Sequence, residues 1–210
     1  EILIGDDASP DNSAEWLKQV QGVRYIGYEQ NGGFIETCNK TAQEARGKYL
    51  VFLNNDTRVV ESLLDRMVES FSHFPKAGIV GSKLYYPDGS LQEAGGIVWK
   101  DGSAWNYGRH DDPNRPAYCY ARAVDYVSGA SIMITKDLWK RLDGFDTRYL
   151  PAYYEDTDLA FRVRELDYSV IMQPLSKVVH YEGKTSGTDI GEGAKAYQVV
   201  NKQKFFARWE

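Results

Sequence analysis

The sequence predicts an α/β fold in which helices flank a mostly parallel central sheet. Three observations predict it. Short apolar runs alternate with amphipathic helical patterns through the first 84 residues. One of these runs, "YLVFL" at Tyr49–Leu53, is apolar at every position, as expected of a strand covered on both faces. Three strands also end in polar clusters, which suits the ligand-binding carboxyl edge of an open sheet.

In order, "EILIG" (Glu1–Gly5) reads as a strand. Asn12 with Glu15 resembles a capping box opening a helix that carries Trp16, Leu17 and Val20. Val23–Tyr28 is a second strand. Phe34, Cys38, Ala42 and Ala45 share one face of a helix stopped by Gly47, and "YLVFL" follows as the third strand. Leu64, Met67, Val68 and Phe71 recur at helical spacing before Pro75, and Gly78–Leu84 is again a strand. "YYPDGSLQEAGGIVW" reads as a hairpin around Pro87-Asp88-Gly89, and Lys100–Arg122 as a polar, aromatic-rich loop region. "VDYVSGASIMIT" reads as one strand, and Lys136–Leu142 as a helix ended by Gly144. Leu159, Val163 and Leu166 stripe a further helix. Ser169–Met172 and Lys177–His180 are the last strands, and Ala194–Trp209 is a surface helix.

The composition excludes several classes. At 210 residues and 42% hydrophobic, the chain is long and apolar enough for one domain with a real core. Its net charge of −5, with both signs interspersed, leaves no basic footprint for nucleic acid. Cys38 and Cys119 lie far apart without CxxC spacing, which argues against a disulfide scaffold or zinc site and fits a reducing cytoplasm. No apolar run approaches the roughly 20 residues that span a bilayer, and no leader pattern opens the chain. The expected location is the cytoplasm, with peripheral association at the inner membrane face compatible.

The polar clusters are Asp6-Asp7-Ala8-Ser9 after the first strand, Asn31-Gly32-Gly33 after the second, and Asn54-Asn55-Asp56 after the third. In a parallel sheet these ends share one edge, so the clusters can converge on one crevice. Each also has a plainer reading. "DDASPDNS" is a turn and N-cap, and lacks the glycine of an EF-hand loop. "NGG" is a turn signal, and "NNDT" caps the helix that follows. Likewise, the acidic pair in Tyr153-Tyr154-Glu155-Asp156 suits the positive end of a helix.

Together, "GDDAS", "NGGFIETCNKTAQEARGKYLVFLNNDT" and "YYEDTDLAFRVRELDYSV" resemble the nucleotide-sugar glycosyltransferases of family 2, which have the GT-A fold. "GGIVWKDGSAWNYG", "AYYEDTDL" and "HYEGKTSGTD" point to bacterial members that build cell-surface polysaccharides, often as one module of a larger chain. The resemblance implies that Asp6 or Asp7 accepts a hydrogen bond from the nucleotide base, favouring UDP- or dTDP-sugars. Asn31 and Gly33 keep the backbone near the nucleotide. Asn54-Asn55-Asp56 matches the DXD motif, with Asn54 and Asn55 on the nucleotide side and Asp56 binding a divalent metal, manganese or magnesium. That chemistry suits a departing nucleoside diphosphate, whose growing charge a hard cation stabilises. Asp156 matches the general base that deprotonates the acceptor hydroxyl in an inverting transfer. Glu155 orients its neighbours or the acceptor, while Asp158 points elsewhere. His180 matches a further metal ligand, and Lys184 and Ser186 lie within reach of phosphate. Ser128-Gly129-Ala130 packs backbone under the donor sugar, or forms a strand bulge. Trp99, Trp105, Tyr107 and Tyr118 shape the acceptor cleft by stacking on sugar rings, with core packing the plainer role.

The expected layout is a single domain over 1–210, with a nucleotide-binding half at 1–84 and an acceptor-binding, catalytic half at 85–210. One departure from the family stands out. Family 2 domains open with a central strand that this chain lacks, so its start corresponds to the second strand of the fold. A piece cut from a larger chain is the expected explanation, with other modules of that chain as partners. The competing reading is a non-catalytic GT-A-like fragment that binds glycan or a partner module. A dinucleotide-dependent oxidoreductase is disfavoured because no GxGxxG follows a strand.

Overall fold

The structure, a computed structural model, describes residues 1–60, 62–182 and 196–210. Lys184 and Ser186 lie outside the described residues. The fold is α/β, and its main sheet is mixed. Strands β3 (Tyr49–Leu53), β10 (Ser131–Thr135), β5 (Ala77–Tyr85), β11 (Ser169–His180) and β4 (Thr57–Val59) lie side by side in that order. β5 and β11 pair in parallel, whereas β10 runs antiparallel to both β3 and β5, and β4 antiparallel to β11. Two short strands, β6 (Leu91–Glu93) and β9 (Arg122–Val124), attach to β5 and β11. β1 (Ile2–Asp6) and β2 (Val23–Gly27) form a separate parallel pair. Among the described residues no strand pairing joins β1 to β3. A cavity of about 2,740 Å³ lies between them, lined by every residue of both strands. A typical ligand pocket holds about 300–1,000 Å³, so this opening combines a site with a gap in the sheet.

Strand alternation sorts the core onto two faces. Ile79, Ile132, Ile134, Val170 and Met172 face one layer, formed by α2 (Gly33–Glu44), α4 (Lys136–Arg141), α5 (Glu155–Glu165) and α6 (Tyr197–Trp209). Val80, Leu84, Met133 and Ile171 face α3 (Leu63–His73) on the other side. The Pro87-Asp88-Gly89 turn joins β5 to β6 as expected, with Gly89 N–H donating to the Tyr86 carbonyl at 2.9 Å.

Several elements differ from their sequence-based reading. α1 is only Ser13–Leu17 and has no capping box; Asn12 makes no side-chain cap, and Asp11 instead accepts from Ser13 N–H at 2.9 Å. "NNDT" does not cap a helix, because β4 intervenes before α3 and pairs with β11. α3 buries Leu63 and Met67, while Leu64 and Val68 open onto the crevice. The polar middle contains a hairpin of β7 (Gly96–Val98) and β8 (Ala104–Asn106). "VDYVSGASIMIT" is not one strand. Asp125 and Tyr126 pair instead with Gly96 of the middle region, and Ser128 and Gly129 donate their N–H groups to carboxylates, not to a neighbouring strand. The two final strands are one, β11, with an irregularity between Gln173 and Lys177. α6 is no mere surface helix: Phe205 is buried among Tyr154, Phe161 and Trp209.

Candidate active site

The first two polar clusters form one knot. β1 ends at Asp6, whose carboxylate accepts from Ser9 N–H at 3.0 Å and Tyr25 hydroxyl at 2.7 Å. These donors from Ser9 and Tyr25 hold its carboxyl below the usual range. Asp7 crosses to the start of α2. It accepts from Gly32 N–H and Gly33 N–H, each at 2.8 Å, and from the Thr37 hydroxyl at 2.7 Å. Asn31 closes the knot by donating to the Asp7 carbonyl at 3.1 Å. A carboxylate offers about four acceptor positions, so the three donors to Asp7 leave it one. Gly33 is needed for a second reason. Its φ is +79°, and a Cβ there would sit 2.6 Å from the Pro151 side chain. The Asn31–Gly33 turn is thereby packed against the loop that leads into α5.

The third cluster lies across the gap. Asn54 N–H donates to the Ala130 carbonyl at 3.1 Å, and the Thr57 hydroxyl to the Asn54 carbonyl at 2.6 Å. Asp56 accepts Tyr181 N–H through its backbone, which brings its carboxylate to the end of β11. Asp56 Oδ1 lies 3.2 Å from His180 Nε2, with the two side chains only 12% and 13% exposed. That oxygen and Asn54 Oδ1 are buried and accept no hydrogen bond.

Gln92 decides what His180 offers. Its Nε2 donates to Glu182 Oε2 at 3.4 Å, which turns its Oε1 toward His180 Nδ1 at 2.9 Å. An amide oxygen only accepts, so Nδ1 carries a proton, and the neutral ring presents its lone pair at Nε2. A lone pair facing an undonated carboxylate oxygen is an arrangement that a cation satisfies, and a ligating histidine typically donates its other ring N–H as His180 does to Gln92. Asp56 and His180 therefore fit a hard divalent ion. Among the described residues no group of three or more His, Cys, Asp or Glu side chains that could hold a metal gathers.

Asp156 lies in the first turn of α5 and lines the same crevice. Its Oδ2 accepts from Gly129 N–H at 2.9 Å, and its Oδ1 from Thr157 N–H at 2.6 Å and Thr157 hydroxyl at 3.2 Å. Burial and the adjoining Asp156 carboxylate push Glu155 upward, and burial likewise raises Asp156. Glu155 is buried with Oε2 undonated, whereas Asp156 keeps partial access to the crevice. Asp158 does point elsewhere: it is buried, paired with Arg162 at 2.7 Å and bonded to Tyr149 and Trp209.

Residues 128–130 bridge the two sides. Ala130 holds Asn54, Gly129 holds Asp156, and Ser128 N–H donates to Glu93 Oε1 at 2.9 Å. Glu93 is fully buried with Oε2 undonated, and burial, with the Asp156 charge, pushes it up to about 8. Glu93, Gln92, Glu182 and Asn201 are absent from the sequence-based set. The fully buried Asn201 donates to the carbonyls of Tyr149, Ala152 and Tyr153 at 2.7–3.0 Å, fixing the loop before α5. The one sequence signal for the first two was polar pairs inside a hairpin strand. Of the four aromatics, Tyr118 is buried and Tyr107 packs against it, while Trp99 and Trp105 are 52% and 64% exposed. Asp6, Asp7, Asn31, Gly33, Asn54, Asn55, Asp56, Glu155, Asp156 and His180 all line the one crevice. Among the described residues no helix is long and apolar enough to cross a membrane.

Comparison with known proteins agrees with this picture. The family described as Glycosyl transferase family 2 matches residues 1–141. The O-antigen biosynthesis protein RfbC of Myxococcus xanthus is 30% identical over 90% of this chain, which spans 15% of its length. An uncharacterized protein, y4gI, of Sinorhizobium fredii is 27% identical over 89% of this chain and is spanned over 22% of its length. An N-acetylglucosaminyl-diphospho-decaprenol L-rhamnosyltransferase of Mycobacterium tuberculosis is 23% identical over 90% of this chain and 68% of its own. Among solved structures, GalNAc-T7 with UDP, GalNAc and Mn2+ superposes with a TM-score of 0.71 at 16% identity, over 97% of this chain and 41% of that one. The mannosyltransferase PcManGT of Pyrobaculum calidifontis, in complex with GDP-Man and Mn2+, gives 0.60 at 17% identity, over 88% and 48%. The fold is that of the GT-A glycosyltransferases. The chain belongs to glycosyl transferase family 2.

Proposed function

We propose that this domain is an inverting, metal-dependent transferase that moves a sugar from a nucleotide-diphospho-sugar to a glycan acceptor in cell-surface polysaccharide synthesis. The observation that carries the reading is one crevice lined both by a cation-suited pair, Asp56 and His180, and by the partly exposed carboxylate of Asp156. Relatives named for O-antigen biosynthesis and for rhamnosyl transfer support the pathway class. Structures named as complexes with UDP or GDP-Man and Mn2+ support the donor and metal classes. Because this chain spans a small part of its longer relatives, the activity proposed is that of one module.

Asp56 and His180 would hold manganese or magnesium, which when bound supplies positive charge to the departing diphosphate. Asp6 or Asp7 would accept the ring N–H of uracil or thymine, with Asn31 and Gly33 shaping the turn beside it. Asn54 and Asn55 would contact the nucleotide's ribose and phosphate side. Asp156 takes the proton of the attacking acceptor hydroxyl at Oδ2, which carries only the Gly129 bond and keeps a lone pair. Its raised proton affinity strengthens it as a base. Burial raises that affinity, and the Asp156 carboxylate in turn helps keep the buried Glu155 protonated.

The experiment is a panel of nucleotide-sugars with manganese, scored for transfer and hydrolysis. Turnover of UDP- or dTDP-sugars above ADP-sugars is expected, because a hydrogen-bonding base site rejects ligands that leave it unpaired. Equal response to all bases would remove Asp6 and Asp7 from the reading. The second reading, a non-catalytic piece, is favoured by the gap between β1 and β3. It predicts no metal-dependent nucleotide binding at all.

A further inference from the structure

Nine carboxylate side chains line the crevice, and among its described lining residues Arg109 is the one arginine or lysine. A phosphate-bearing ligand entering so acidic a site needs compensation beyond a single cation. Arg109 is built in place. Gly108 before it has φ +82°, and a Cβ there would meet Leu91 Cδ2 at 2.4 Å. His110 N–H donates to the Leu91 carbonyl at 2.7 Å, and Leu91 N–H to the Asp111 carbonyl at 3.0 Å, so the segment is locked to β6. The Arg109 guanidinium lies over the Tyr86 ring at 5.9 Å, beside His110 stacked on the same ring.

Only Nη2 of Arg109 is engaged by a hydrogen bond among the described residues, to Glu182 at 3.0 and 3.3 Å. Glu182 shares its charge with the Tyr86 hydroxyl and Gln92 Nε2. Arg109 is 48% exposed and keeps donors of its guanidinium fork that no described residue takes up, so an incoming dianion can engage the fork beside Glu182. Through Glu182 and Gln92 the arginine is also joined to His180, on the metal-suited wall.

We propose that Arg109 is the phosphate-binding side chain of the crevice, recognising either the donor's diphosphate or a phosphate-linked glycan acceptor. The proposal rests on the reading of this crevice as a transferase site. The test is calorimetric titration of inorganic pyrophosphate, with manganese, into the wild-type chain, Arg109→Gln and Arg109→Lys. Losing one charged partner is expected to weaken binding about tenfold or more in Arg109→Gln, with Arg109→Lys in between. Equal affinity of wild type and Arg109→Gln, or no pyrophosphate binding to wild type, overturns it. UDP and N-acetylglucosamine 1-phosphate then separate the sources: a tenfold loss confined to UDP assigns the donor, and one confined to the sugar phosphate assigns the acceptor. Arg109-dependent pyrophosphate binding without any UDP binding would sink the nucleotide-sugar reading and leave the Arg109 site standing.

Discussion

Replacing Glu93 by Gln isolates a fully buried carboxyl that is held by Ser128 N–H. Gln retains an acceptor oxygen for Ser128 N–H, so the perturbation is mainly to ionisation. Unfolded, Glu93 titrates near 4.5; folded, it is pushed up to about 8. Between those values the folded chain binds a proton that the unfolded chain releases, so wild-type stability falls as pH rises through the window. At about 1.4 kcal/mol per unit the ceiling is roughly 5 kcal/mol, and structural relaxation brings the expected value to about 2–3 kcal/mol. For a chain of this size that is roughly 4–12 °C in melting temperature. The assay is thermal denaturation of wild type and Glu93→Gln from pH 4.5 to 9. Their melting temperatures should nearly coincide at the acid end and diverge with pH, the variant being the more stable, until a plateau above about pH 8. A difference that does not change with pH would refute a neutral, buried Glu93.

Asp56→Ala should abolish manganese-dependent nucleoside diphosphate binding, whereas Asn54→Ala should only weaken it; titration with and without chelator checks both. Gly33→Ala forces a side chain into a left-handed backbone 2.6 Å from Pro151. It should cost about 2–3 kcal/mol, read as a fall of roughly 4–12 °C in melting temperature.

Much of this site was legible because its residues sit at the ends of long, strongly patterned elements. Asp6, Asn54 and His180 close or follow apolar strands, and Glu155 and Asp156 open an amphipathic helix. Their convergence survived even though β1–β2 and β3 belong to separate sheets. What stayed hidden depends on partners distant in sequence. β4 is three residues long and exists only by pairing with residues 178–180. Gln92 and Glu93 look like ordinary hairpin polar residues until Glu182, His180 and Ser128 are brought to them. Leu64 and Val68 fit a helical stripe as well as Leu63 and Met67 do, and periodicity alone does not choose the phase. Asn201 sits beside exposed Val199 and Val200 yet is fully buried, so its hydrophobic surroundings in sequence point the wrong way.

Asp156→Asn tests the division of labour between Asp156 and the Asp56–His180 pair. Asn keeps the shape and an acceptor oxygen for Gly129 N–H but removes the proton acceptor. Nucleoside diphosphate affinity with manganese and sugar-transfer rate should be measured side by side. The predicted result is unchanged affinity with a rate lower by about 10² to 10⁴. Near-normal turnover in Asp156→Asn would contradict a general base at this position.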